Sequence, residues 1–441
     1  MKNTISTAIE TTLETCEARG ADLFAFSALP KAAARATAAY LDALTAHGVS
    51  LGPLHGVPIG VKDIIDVAGL ATHAGSATRP APPPAAKDAF VVAKLRAAGA
   101  VIAAKTNTVE FAFGGWGTNK AIGTPKNPWN DAAHYTPGGS SSGTGVAVGS
   151  GLLPAGLGTD TGGSVRIPAA FCGCVGLKTS IGLVSRSGVV PLSDTFDTVG
   201  PLTDTVHRAA EMLSAMQGED RSDPTTIDVS RKDPLADIER GISGLRLAIL
   251  QPDDLQQVTR EVSEAYTRAQ GILGQLGATL APLQLPMTFL EYQTRATRIV
   301  SSDAYAFHDE LADDPDAPMN ETTRMRMHVG RDLTAKDRII AQRERHLAIA
   351  DFLARLDRFD ALVIPSAPIT AIPIADADEN NYEMSLYTRP ANYLELCGLS
   401  VPIGLAPSGM PTSLQVMVRR FDDPLALRIG HAFEQARGAI A

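Results

Sequence analysis

The sequence predicts an α/β fold: a single large domain whose mixed central β-sheet is covered by helices on both faces. Three observations carry this reading. Short apolar runs that suit strands, Pro58 to Val61 and Val101 to Ala104, are separated by the helix-compatible stretch Phe90 to Ala98. The 441 residues are 44% hydrophobic and 20% charged, which supplies a large core and excludes a disordered chain. No repeat and no low-complexity tract breaks the pattern, so residues 1–441 read as one domain, with a split near Gly218 as the alternative.

The elements follow in order. Ile5 to Cys16 and Lys31 to His47 carry Ala, Leu and Thr with apolar residues at helical spacing, as surface helices do. The prolines at 80, 82, 83 and 84 mark a surface loop, because the β/α pattern resumes directly after them. Between Gly138 and Gly176 lie 12 glycines in 39 residues. A flexible linker would have this composition, but Val146, Val148, Leu152, Leu153, Leu157, Ile167, Phe171 and Val175 need burial. Buried and glycine-rich together imply closely packed backbones, or N–H groups brought up against a ligand. Gly218 to Asp237 reads as a loop, Leu245 to Leu250 as a strand and Val258 to Leu276 as a helix. Helices are expected over Thr288 to Leu311 and Ala335 to Phe359, and strands over Ala361 to Pro365 and Thr412 to Val418.

Charge and cysteine content exclude several classes. With 39 basic and 48 acidic residues, the net charge of −9 argues against a nucleic-acid binder that works by neutralising phosphates. Four cysteines cannot form a disulfide framework and suggest a reducing compartment. The amino terminus develops no apolar signal region, and no apolar run approaches the roughly 20 residues of a membrane span. The expectation is a cytoplasmic protein with a small-molecule partner, compatible with a homodimer.

Most familiar motifs fail. There is no Gly-Lys dipeptide for a P-loop, no H-E-x-x-H, and no Ser-x-x-Lys. Cys172 and Cys174 lack a second pair for a metal and read as buried thiols, so no metal and no cofactor is expected. Gly139 to Gly143 fits G-x-S-x-G, which would make Ser141 a nucleophile, but no clear strand precedes it and no histidine is singled out.

The segment from Gly138 to Lys178, GGSSSGTGVAVGSGLLPAGLGTDTGGSVRIPAAFCGCVGLK, closely resembles the signature of the amidase signature family. The likeness extends to Gly52 to Asp63, to Lys105 to Phe111, to Thr198 to Leu202 and to Tyr387 to Met417, and is only generic from Gly218 to about Asp360. It implies a Ser/cis-Ser/Lys triad made of Lys62, Ser140 as the bridging serine and Ser164 as nucleophile. Gly138 and Gly139 are the residues that would tolerate the cis geometry.

Elementary chemistry agrees. A serine hydroxyl needs a base, and a lysine serves only when neutral, which the apolar run before Lys62 would favour. The N–H groups of Thr161, Gly162, Gly163 and Ser164 are assigned to an oxyanion hole, where one donor contributes roughly 3 to 4 kcal/mol. Ser141 and Ser142 are expected to support the loop by hydrogen bonds, and the resemblance implies that Asp160 and Arg166 form a structural pair that fixes the loop beside the nucleophile. Phe113 and Trp116 are candidates for the acyl pocket, with core packing as the bland reading.

The function these readings imply is hydrolysis of a linear carboxylic amide, small or aryl or urea-type or carbamate, through a Ser acyl-enzyme. The rival within the family is the glutaminase subunit of a tRNA-dependent amidotransferase, which is usually longer and reads differently after Glu110 to Ala112. An α/β-hydrolase esterase, dependent on histidine, is a further rival, and a catalytically silent binding protein is the non-enzymatic one. Specificity is expected from Thr288 to Gly330 and Ile369 to Tyr387, where the likeness is weakest.

Overall fold

Helices α1 (Ile5–Leu23) and α2 (Lys31–Ala46) open the chain around the short strand β1 (Phe26–Ala28) in the computed structural model, which describes residues 4–381 and 383–440. The run at Pro58 becomes β2 (Pro58–Lys62), followed by α3 (Phe90–Ala97) and β3 (Val101–Thr106). The glycine-rich segment forms α4 (Ser142–Gly149), β4 (Ala155–Asp160), α5 (Arg166–Cys172) and β5 (Val175–Lys178). Next come β6 (Thr198–Thr203), α6 (Val206–Met216), β7 (Arg246–Ile249), α7 (Arg260–Gln275) and β8 (Thr279–Pro282). Three helices follow without a strand: α8 (Phe289–Asp313), α9 (Glu321–Arg331) and α10 (Ala335–Leu356). The chain closes with β9 (Ala361–Pro365), α11 (Arg389–Tyr393), β10 (Cys397–Leu405), β11 (Pro411–Val418) and α12 (Asp423–Arg437).

Among the described residues the eleven strands belong to one sheet in the order β1-β3-β2-β4-β6-β5-β10-β11-β9-β7-β8. The sheet is mixed, with β2 parallel to both β3 and β4, β7 parallel to both β8 and β9, and the remaining pairs antiparallel. Both faces are covered, as the alternation along β3 shows. Ile102 joins the larger core with Leu95 of α3, Leu213 of α6 and Phe433 of α12, whereas Val101 and Ala103 join Leu13 of α1 and Leu41 of α2. Among the described residues no helix is long and apolar enough to cross a membrane.

The expected helices and strands lie within a few residues of their predicted places, except that α1 runs on well past Cys16 to Leu23. Missing from the expectation were α5, α6, α9, α11 and α12 and several strands, among them β4, β5, β6 and β10. The segments AGLGTD of β4 and TVGPLT of β6 have weak strand propensity, yet every residue of both is buried. Burial between neighbours, rather than intrinsic preference, makes them strands.

The glycine density has a concrete cause in the α4–α5 contact. A Cβ on Gly145 would stand 2.8 Å from the Pro168 Cβ, and one on Gly149 would stand 2.8 Å from the Cys172 Cβ. Both pairs are spaced by one helical turn, so two glycines let the helices touch along a line. Gly149→Val is expected to lower stability by about 1–3 kcal/mol or more through overpacking. A melting curve superimposable on that of the unmodified protein would contradict this packing.

Candidate active site

Lys62 ends β2, between β3 and β4 at the centre of the parallel part of the sheet, and has no exposed surface. Its Nζ lies 2.8 Å from the Ser140 Oγ and 2.8 Å from the Thr159 Oγ1 of β4. Burial pushes the ammonium down to about 7, against the opposing charges of Asp197 and Asp160. The neighbouring carboxylate, Asp63, turns away to Lys105 Nζ, 3.1 Å distant.

The Ser140 loop is fixed by backbone packing. The Gly139–Ser140 peptide bond is cis. A Cβ on Gly139 would stand 2.7 Å from the Gly117 N and 2.9 Å from the Gly114 O, so glycine alone fits. The Ser140 carbonyl accepts from the Thr108 hydroxyl at 2.9 Å and from the Val109 N–H at 3.2 Å. One residue on, the Ser141 N–H donates to the Ser164 carbonyl at 3.2 Å, which ties the two serine-bearing loops together.

Ser164 stands at the end of the loop that follows β4, next to α5. Behind that loop Asp160 and Arg166, both without exposed side-chain surface, pair at 2.8 Å. Arg166 also donates to the Thr388 carbonyl, the Gln415 amide oxygen and the Asn392 amide oxygen. Burial alone would raise the Asp160 carboxyl, but Arg166 and Asn392 outweigh it and hold the group well below its ordinary value.

Three expectations need correction. The Gly163 N–H donates to Asp160 Oδ1 at 2.8 Å, so it holds the loop rather than facing a reacting oxygen. The N–H groups of Thr161, Gly162 and Ser164 have no hydrogen-bond acceptor among the described residues. The Ser142 hydroxyl is buried without a hydrogen-bond partner among the described residues, so it does not support the loop. Ser141 does, with its Oγ 3.3 Å from both the N and the O of Thr159. Trp116 packs with Ile167, Phe171 and Met384, and its Nε1 donates to the Asp378 carbonyl at 2.8 Å. It is core, whereas Phe113 lines the cleft at Ser164.

That cleft holds only about 30 Å³ and is lined by Phe113, Thr161, Gly162, Ser164, Ser385 and Arg389, among others. A larger cavity of about 450 Å³ is walled by Thr159, Asp197, Arg186 and Phe307, among others. Ser164 is not in its described wall, so the smaller cleft is the one at the Ser164 hydroxyl. The segments from which specificity is expected contribute Val300 and Ser385 to its wall, while Tyr382, within the second segment, lies outside the described residues.

Sequence reasoning missed Thr159, Asp197 and Arg389. The Asp197 carboxylate accepts from the Thr161 hydroxyl at 2.5 Å and from the Leu192 and Ser193 N–H groups, so it braces the loop before Ser164. Burial raises its pKa. An alternating pattern through Thr159 would have marked that hydroxyl, had β4 been read as a strand.

The family model described as Amidase matches residues 7–427. The chain belongs to the amidase signature family, whose members are amidase-type enzymes that cleave C–N bonds. The A-type subunit of the glutamyl-tRNA(Gln) amidotransferase of Acidobacterium capsulatum is 35% identical, over 97% of this chain and 94% of that protein. A solved structure from a vestigial complex linked to the origins of an s-triazine catabolic enzyme superposes with a TM-score of 0.91 at 30% identity, covering 98% of this chain and 95% of that one. The peptide amidase of Stenotrophomonas maltophilia gives 0.85 at 30% identity, over 98% and 93%.

Proposed function

We propose that this chain hydrolyses a linear primary carboxamide through an acyl-enzyme on Ser164, with glutamine as amide donor in the manner of its amidotransferase relatives. The observation that carries the chemistry is the 2.8 Å contact between a fully buried Lys62 Nζ and the Ser140 hydroxyl. A neutral amine there accepts the Ser140 proton, Ser140 takes the proton of Ser164, and the Ser164 Oγ bonds to the carbonyl carbon. The resulting oxyanion would lie against the N–H groups of Thr161, Gly162 and Ser164. Collapse breaks the C–N bond, and the relay returns its proton to the leaving nitrogen, which departs as ammonia. Water then repeats the sequence, releasing the acid and restoring Ser164.

The glutamine reading is supported by the amidotransferase relatives, which align with this chain over nearly all their length. It carries with it a partner protein that receives the ammonia. A stand-alone amidase is the second reading, favoured by the similarity to a peptide amidase. Ammonia release measured over glutamine, acetamide, benzamide, an anilide, a urea-type compound and a carbamate separates the two. Release from glutamine alone supports the first, and turnover of the neutral amides without glutamine supports the second.

Ser164→Ala is expected to lower kcat/KM by at least about 10⁴-fold with the fold intact, whereas Ser141→Ala stays within about tenfold. A fluorophosphonate adduct mapped by mass spectrometry to Ser141 rather than Ser164 would overturn the assignment.

The pH profile follows from the Lys62 pKa of about 7. The base is active when unprotonated, so kcat/KM should rise with pH through an ascending limb near that value and fall to roughly one-tenth of its plateau a unit below it. A histidine base would titrate near about 6.5, too close to separate by position alone. Single replacement of His55, His73 or His134 should therefore leave the limb in place, while Lys62→Ala abolishes acylation of Ser164. Near-normal acylation in Lys62→Ala would end the Lys-base mechanism.

A further inference from the structure

One side chain of the segment from which specificity is expected has a function that neither the fold nor the proton relay uses. Ser301, in the middle of α8, is 1% exposed, and its hydroxyl has no hydrogen-bond partner among the described residues. A serine or threonine inside a helix ordinarily satisfies itself by donating to the carbonyl four residues earlier. Thr297 does so, with its hydroxyl 2.9 Å from the Gln293 carbonyl. Ser301, one turn further on, does not. A buried hydroxyl left unpaired destabilises the folded state, so this one is not explained by a role in holding α8.

The position of Ser301 is set by its backbone. A Cβ on Gly330 of α9 would run into the Ser301 carbonyl, so the two helices meet there main chain to main chain. The neighbouring residue, Val300, lines the cleft at Ser164. Ser301 and Val300, with Thr297, Phe113 and Val329, also wall a second compartment of about 30 Å³. The two spaces share Phe113 and Val300, while α9 contributes Arg326 and Val329 to the second alone among the described residues. The other polar groups of this wall are engaged: Thr297 with its carbonyl, Arg326 with the Phe113 and Glu379 carbonyls, and Arg389 likewise with a partner.

We propose that Ser301 is a specificity-determining residue whose hydroxyl bonds a polar atom at the far end of the acyl group, so that the preferred amides carry a short chain ending in a hydrogen-bonding group, a hydroxyl being the simplest. The assignment rests on the amidohydrolase reading and deepens it. Phe113 and Val300 pack against the methylenes, and the small volume limits the chain to a few heavy atoms beyond the carbonyl. The Ser301 hydroxyl has no water to give up, so the bond it forms with such a substrate is gained in full on the protein's side. An alkyl chain of the same length leaves the hydroxyl unpaired and is discriminated against for that reason.

The test compares 3-hydroxypropionamide with butyramide and 4-hydroxybutyramide with valeramide, pairs in which a hydroxyl replaces a methyl group, using the full-length protein and ammonia release. The unmodified protein should favour the hydroxylated member of at least one pair by about fivefold or more in kcat/KM. Ser301→Ala should bring that ratio to about one or below, with the alkyl amide used as well as before or better. Its melting temperature should be unchanged or raised, because the variant loses an unpaired buried hydroxyl. Equal use of both members of both pairs by the unmodified protein, or an unchanged ratio in Ser301→Ala, overturns the assignment. A Ser301→Ala protein that melts lower or does not fold would assign the hydroxyl to the fold and overturn it equally. Ser164 that labels with a fluorophosphonate while none of the four amides is turned over also counts against it. Failure of the amidohydrolase reading would look different, since Ser164 would then resist the probe as well.

Discussion

The structure depends on one buried amine. Lys62 has no contact with solvent, and its Nζ is met by two hydroxyls, Ser140 and Thr159, at 2.8 Å each rather than by a carboxylate. An ammonium in such a place has lost its water without gaining a counter-ion at contact distance, so the neutral form is favoured. The folded pKa of about 7 lies below the ordinary 10.5, and the unfolded chain therefore binds more protons between those values. Folding stability carried by this group accordingly rises with pH across that window, which means that near neutrality the site is kept at a cost to the fold. The sheet supplies what offsets it, since β2 is flanked on both edges by fully buried strands.

Around that amine the charges are kept one layer back. Asp160 is committed to Arg166, and Asp197 to the Thr161 hydroxyl and two backbone N–H groups. Both raise the lysine pKa somewhat without reaching its Nζ, so burial prevails. The same two carboxylates brace the loop before Ser164 from opposite ends. Their separation of duties accounts for the loss of Gly163 from the set of open N–H groups, because the residue that anchors the loop cannot also present its N–H to a reacting oxygen.

The α/β class was legible because apolar runs at Pro58 and Val101 alternate with helical spacing, and the cluster of serines and glycines was legible through its likeness to a family. What escaped has physical reasons. The segments of β4 and β6 are strands by burial, not by propensity, and α9 carries the polar sequence ETTRMRMHVGR, which shows little of a buried stripe. Trp116 lies close in sequence to Phe113, yet their side chains enter different environments, the one a core cluster and the other the cleft. Arg389 is remote from Ser164 in the chain, and no local pattern reports that its guanidinium fills the space left by Gly162.

The central claim is that Lys62 is neutral at working pH because it is buried beside hydroxyls. Its direct test is a titration of the lysine side-chain nitrogens by ¹⁵N NMR, with Lys62→Met used to assign the Lys62 signal. The account predicts a midpoint for Lys62 near about 7, far below that of the surface lysines. A midpoint at the ordinary lysine value would mean that Lys62 is charged at neutral pH and cannot act as the base, and the proton relay built on it would be wrong.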